Sequence, residues 1–168
     1  MTVLAILGGA RENGDTQAAL TAVLAGRAAT ILDLRLLDIQ HYEYGGDPAR
    51  DDFLRVVDAM RRHERILFVT PVYWYAMSGR MKVLFDRFTD VVTARKDLGH
   101  ALAGRVAFLV ACGSEAALPD GFETPFRDTA AYLDMSYGGA FYATTGQAKS
   151  VSGILRTEAS RFGDKVFA

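Results

Sequence analysis

Thr70-Pro-Val-Tyr-Trp-Tyr-Ala-Met-Ser-Gly-Arg-Met-Lys-Val-Leu-Phe-Asp-Arg-Phe88 is the stretch from which the architecture of this 168-residue chain is read. Just upstream, Ile66-Leu-Phe-Val69 is an apolar run of the kind that forms a strand buried on both faces. Downstream, Met77, Met81, Leu84, Phe85, Phe88, Val91 and Val92 recur at helical spacing. The turn between them carries Pro71, two tyrosines and the chain's single tryptophan. Strand, aromatic loop and helix, in that order, is how an open α/β sheet presents a ligand platform at the carboxyl edge of its strands. Clustered aromatics also occur in ordinary packed loops, so the assignment depends on what the rest of the chain brings beside them.

Toward the N-terminus, Val3 to Leu7 reads as a first strand, followed by Gly8-Gly-Ala-Arg-Glu-Asn-Gly-Asp-Thr16. Ala18, Ala19, Leu20, Val23 and Leu24 then set a helical stripe that stops at Gly26. A glycine-containing loop leading into a helix N-terminus offers free N–H groups and the positive end of the helix dipole, which favour an anion such as phosphate. Thr16 can cap the helix or offer a hydroxyl, Arg11 can add a charged contact, and Asn13 and Asp15 can hold the turn or reach a ligand. An ordinary βα loop capped by Asp15 or Thr16 is the plainer alternative. The loop is neither a Walker loop nor a G-x-G-x-x-G fingerprint.

The remaining elements alternate. Thr30 to Leu37 is predicted as the second strand, with a long polar loop from Gln40 to Pro48. Asp51-Asp52 opens a helix whose last turn carries Arg61, Arg62 and His63, and these suit the dipole. The platform helix runs from about Ser78 to Arg95, and residues 96–104 read as a mobile connection holding a solvated His100. Val106 to Ala111 forms a fourth strand that runs into Cys112-Gly-Ser-Glu115. Residues 116–125, punctuated by Gly and Pro, are a candidate lid or subunit contact. Phe126 to Leu133 gives a helix, Ser136 to Ala143 a fifth strand, and Val151 to Phe162 a closing helix.

Composition narrows the function classes. Half the residues are hydrophobic, which suits one domain spanning 1–168 with a sizeable core. A net charge of −1 and a pI near 6.3 give no footprint for nucleic acid. One cysteine, Cys112, precludes an intramolecular disulfide framework and an all-cysteine metal or iron–sulfur site, and it fits a reducing cytoplasm. The start of the chain reads as a strand and not as a signal peptide. No apolar run approaches the ~18 residues of a membrane span.

Five strands alternating with helices call for a parallel sheet with right-handed crossovers. In the doubly wound order 2-1-3-4-5, the loops after strands 1, 3 and 4 meet at the switch point. These loops carry Arg11 to Thr16, Pro71 to Tyr75, and Cys112 to Ser114. A phosphate cradle, an aromatic wall and a small Gly/Ser loop suit a planar, phosphorylated ligand, with FMN the obvious candidate.

These same residues carry a resemblance. Gly8 to Thr16 resembles the Gly-Ser-x-Arg-x-Asn-Gly-Asn-Thr phosphate loop of the flavodoxin-like NAD(P)H-dependent FMN reductase and quinone oxidoreductase family. Thr70 to Lys82 is similar to that family's isoalloxazine loop and following helix. Order and spacing match along essentially the whole chain, by architecture alone after Leu118. The resemblance implies a flavodoxin-like fold and an FMN-dependent oxidoreductase that passes electrons from NAD(P)H to a small acceptor, a quinone or similar. It puts phosphate contacts on Gly9, Ala10, Arg11, Asn13, Asp15 and Thr16. The ring would lie against Pro71, Val72, Tyr73 and Trp74, with Gly113 and Ser114 at its other edge, while Tyr73, Trp74 and Tyr75 shape the substrate space. No essential acid, base or metal is implied, because the cofactor carries the chemistry. Ala10 stands where the pattern has serine and Asp15 where it has asparagine, and both departures bear on the phosphate. Some relatives carry an iron–sulfur cluster in the loop after strand 2, but residues 40–48 hold no cysteine. A homodimer is implied, with 96–104 and 115–125 near the partner's flavin. Two further readings share the fold: a non-catalytic flavodoxin-type electron carrier, usually strongly acidic, and a flavodoxin-like domain that has lost FMN.

Overall fold

The computed structural model describes residues 1–145 and 153–168. Five parallel strands, β1 (Val3–Leu7), β2 (Thr30–Asp33), β3 (Arg65–Tyr73), β5 (Val106–Gly113) and β6 (Ser136–Thr144), lie in the order β2-β1-β3-β5-β6. A sixth strand, β4 (Ala76–Met77), pairs antiparallel with β3. The sheet is therefore α/β and flavodoxin-like but is not the five-stranded sheet expected, because the aromatic loop folds back as a hairpin.

Strand residues alternate between two cores, as a pleat requires. Leu4, Ile6, Ile66, Phe68 and Leu109 face one side. There they meet Val57 and Met60 of α2 (Phe53–Arg61), Met81, Leu84 and Phe88 of α3 (Gly79–Thr93), and Phe126 of α5 (Thr124–Tyr132). Val3, Ala5, Leu67, Val69 and Val110 face the other side, against Leu20 and Val23 of α1 (Asp15–Leu24) and Ala159 and Val166 of α6 (Gly153–Phe167). The α3 stripe is thus spent inside the molecule: Met81, Leu84, Phe88 and Val91 are buried, with Phe85 and Val92 packed beside them.

Several boundaries differ from expectation for local reasons. β2 stops at Asp33 because the Asp33 carboxylate accepts the Arg35 N–H at 2.9 Å and pairs with its guanidinium, turning the chain into a short 3₁₀ segment, Leu34–Leu36. Residues 96–100 form a helix, α4 (Lys96–His100), and not a loose connection, with Asp97 in its first turn bridged to Arg95. α1 begins at Asp15 with Gly14 as its N-cap and no side-chain cap, so Thr16 sits inside the first turn and does not cap it. Of the predicted closing helix, Val151 and Ser152 lie outside the described residues. His63 meets the expectation for a helix C-terminus: Nδ1 lies 2.7 Å from the Ala59 carbonyl and Nε2 2.9 Å from the Thr30 hydroxyl.

Behind the sheet edge, a fully buried Arg87 organises the loop after β2. Its Nε donates to Asp90 at 2.6 Å, and one Nη donates both to Asp51 and to the Gln40 carbonyl. The other Nη reaches the Pro48 carbonyl, and the guanidinium lies 4.7 Å from the Phe53 ring centroid. Burial works to raise the Asp51 pKa, but the hydrogen bond from Arg87, helped by the N–H groups of Phe53 and Gln40, outweighs it and holds the carboxyl below its ordinary 3.8. A carboxyl depressed in the folded state adds stability above its unfolded pKa and loses it as pH falls through the folded value. Arg87→Met, which leaves two carboxylates unpaired indoors, is expected to cost about 3–5 kcal/mol in urea unfolding. Asp51→Asn should flatten the stability loss of the native protein below about pH 4. A loss under about 1 kcal/mol for Arg87→Met would contradict this anchoring role.

Candidate active site

Three loops meet at the carboxyl edge of the sheet, around a cleft of about 270 Å³. From the first loop come Gly9, Ala10, Arg11, Gly14, Asp15 and Thr16. From the second come Pro71, Val72 and Tyr73, and from the third Cys112, Gly113 and Ser114, with Thr145 closing the floor. A second hollow of about 180 Å³ shares Val72 and Ser114 with the first and adds Trp74, Tyr75 and Glu115. Of the residues singled out in the sequence, Asn13 alone lies off these walls. It takes a positive φ of 52°, and its N–H donates to Gln17 at 2.9 Å, which closes the turn. Two larger hollows exist, one among Val91, His100 and Tyr132 and one among Leu37, His41 and Arg80. Neither joins the loops of the switch point, which is where doubly wound sheets bind ligands.

A buried hydrogen-bond chain fixes the first two loops against each other. The Val69 carbonyl accepts the Gly8 N–H at 2.7 Å, so this edge of β3 faces the first loop. Two residues on, Pro71 faces the same edge, and it lacks the N–H that a continued parallel ladder would send to the Gly8 carbonyl. Ser78 supplies the missing donor: its Oγ donates to Gly8 O at 2.7 Å. The same oxygen accepts Met81 N–H at 3.2 Å as the N-cap of α3, and Thr70 Oγ1 accepts Ser78 N–H at 3.0 Å. The third loop is held from β6, where Tyr142 Oη donates to the Glu115 carbonyl at 2.9 Å and Thr145 N–H donates to Gly113 O at 2.6 Å. Gly113 has no room for a side chain, since a Cβ would lie 2.9 Å from Tyr142 Oη and 3.0 Å from Val72 Cβ. Tyr142 and Thr145 lie some thirty residues beyond the loop they brace, and no local pattern marks them.

At the cradle, the first-turn amides of α1 have no intrahelical acceptor, and Gly14 offers no side chain to take them. Amides, the Thr16 hydroxyl and the Arg11 guanidinium form a donor set that fits a phosphate. Asp15 is the exception. Cys112, at the cleft floor, has its thiol pushed up to about 11, by burial first and then by the Asp15 charge, so it stays neutral and is no nucleophile near pH 7.

At the other end, Tyr73 pairs with Ala76 across a two-residue turn made of Trp74 (φ 50°) and Tyr75 (φ 64°). Positive φ at both central residues is the type I′ pattern, normally filled by Asn-Gly. Each bulky residue there costs on the order of 1 kcal/mol. The two rings return little packing, being 93% and 69% exposed. Strain without burial at a cleft rim is a feature that clusters at ligand sites. Trp74→Asn with Tyr75→Gly should therefore raise stability by about 1–2 kcal/mol, or roughly 2–8 °C in Tm, while weakening binding of planar ligands. Unchanged Tm together with unchanged binding would remove the platform reading.

Comparison with known proteins agrees with this geometry. Residues 1–150 match the family model described as NADPH-dependent FMN reductase. The chain is 25% identical over 123 residues, 68% of each chain, to YwqN of Bacillus subtilis (strain 168), whose name assigns it provisionally as an NAD(P)H-dependent FMN-containing oxidoreductase. Its fold is similar to that of a Trp repressor binding protein from Bacillus subtilis, with TM-score 0.77 and 20% identity over 96% of this chain and 97% of that one. It is also similar to general stress protein 14 from Treponema denticola, solved in complex with FMN, with TM-score 0.65 and 21% identity over 99% and 96% of the two chains. With a family model covering most of its length and the cleft built as described, the chain belongs to the NADPH-dependent FMN reductase family of flavoprotein oxidoreductases.

Proposed function

We propose that this protein passes electrons from NAD(P)H, through FMN held in the switch-point cleft, to a small planar acceptor such as a quinone. One observation carries the reading: an uncapped helix N-terminus lines one hollow and a strained aromatic hairpin lines the hollow adjoining it through Val72 and Ser114. The amides of Gly9 to Thr16, with Arg11 and Thr16, would hold the phosphate. Pro71 to Trp74 would line one side of the ring, with Gly113 and Ser114 at its other edge. FMN, when bound, supplies hydride acceptance and electron transfer.

The side chains of the cleft then have binding work to do and no proton to move. Ser78 and Tyr142 hold the three loops in place, while Arg87 holds the neighbouring loop after β2, and this is how a protein contributes through orientation. Tyr73, Trp74 and Tyr75 shape the space over the ring and exclude water from it. The reading is of one domain over 1–168 acting in the cytoplasm, where nicotinamide nucleotides are available, as a homodimer. With the α3 stripe spent in the core, the partner would meet the exposed side chains of 96–104 and 115–125. Among the described residues no helix is long and apolar enough to cross a membrane.

The test is an absorbance spectrum of the purified protein, followed by anaerobic titration with NADH and with NADPH. A yellow protein that bleaches directly with one nucleotide, with no added reductase, is the expected result. Bound flavin that neither nucleotide reduces would favour an electron carrier, and a colourless protein that does not take up added FMN would overturn the cofactor reading.

A further inference from the structure

We infer that Asp15 is an internal competitor for the anion-binding end of α1, and so sets how well this chain distinguishes phosphorylated from unphosphorylated flavin. This rests on the reading of the cleft as an FMN site and concerns which residue controls its affinity.

α1 is a ten-residue helix whose N-cap, Gly14, is extended and provides no capping side chain. Asp15 is the only acidic residue in the first turn, its side chain is 12% exposed, and it lines the cleft beside Gly9, Thr16 and Cys112. A carboxylate there is favourable for the flavin-free protein, because it complements the helix dipole. It is unfavourable for a phosphate brought to the same amides, because two anions then share one partial positive charge. The one guanidinium among the described residues of the cleft does not cancel the conflict. Arg11 lies 3.8 Å from Asp15, with its side chain 74% exposed, so the pair is weak and the cation is divided between carboxylate and ligand. Ala10 offers no hydroxyl in compensation. Cys112, which lines the same cleft, has its thiol raised by burial first and then by the Asp15 charge.

A like charge about 4 Å away is worth between about fivefold in affinity in water and nearly a thousandfold at a protein surface. For a partly wet cleft, removal of the charge should tighten FMN binding by about tenfold or more. Riboflavin has no phosphate to repel and should be indifferent.

The experiment is a fluorescence titration of the flavin-free full chain with FMN and with riboflavin, for the native protein, Asp15→Asn and Asp15→Ser. Both variants should bind FMN at least about tenfold more tightly, with riboflavin affinity unchanged within about twofold. In the same samples, the Tm of the flavin-free variants should fall by roughly 1–3 °C, the loss of a dipole-complementing charge. FMN affinity that is unchanged or weakened would overturn the inference, as would tightening of both flavins equally, which would indicate repacking. If FMN binds none of the three proteins, the cofactor reading falls and this inference falls with it.

Discussion

The site depends on one hydrogen bond, from the Ser78 hydroxyl to the Gly8 carbonyl. Pro71 ends the ladder between β3 and the first loop by having no N–H to give, and the carbonyl it would have satisfied is buried. Ser78 fills that position from the N-terminus of α3 while capping the helix with the same atom. Strand, hairpin, helix and first loop are thereby joined at a tightly packed point, where a Cβ at Gly8 would lie 3.1 Å from both Ser78 Oγ and Met81 Cε. The separation between the first-loop amides and the aromatic hairpin follows from this contact. A ligand with a ring and a phosphate at a fixed span reads that separation as affinity.

The molecule divides its stability unevenly. The two apolar cores and the buried Arg87 cluster hold the strands and the loop after β2. Left-handed bulky residues and an exposed tryptophan are gathered at the crevice. Features that cost stability persist where something other than folding uses them. At the hairpin the cost is conformational, whereas Asp15 at the first turn of α1 complements the helix dipole.

Much of this was legible in the chain. β1 and the core of β3 stand out as apolar runs bounded by glycine and polar residues, and the α3 stripe is periodic enough to place its buried face. Strand order alone brings together the loops carrying Arg11 to Thr16, Pro71 to Tyr75, and Cys112 to Ser114, although Asn13 lies off the walls. What was not legible depends on partners distant in sequence or on local competition. The hairpin was hidden because Trp-Tyr is a poor type I′ sequence, and β2 was overextended because Asp33 captures Arg35. The helix at 96–100 looked like a loop, since Gly99 and a short length argue against helix. Tyr142, Thr145 and Arg87 become visible as bracing residues only once the sheet assembles.

Chemical shifts of backbone amides on titration with FMN test the central claim most directly. One flavin per chain should move amides of Gly9 to Thr16, Val72 to Tyr75, and Cys112 to Glu115, while those around Val91, His100 and Tyr132 stay still. Shifts centred on that second group, or spread evenly over the surface, would contradict the assignment of the cleft.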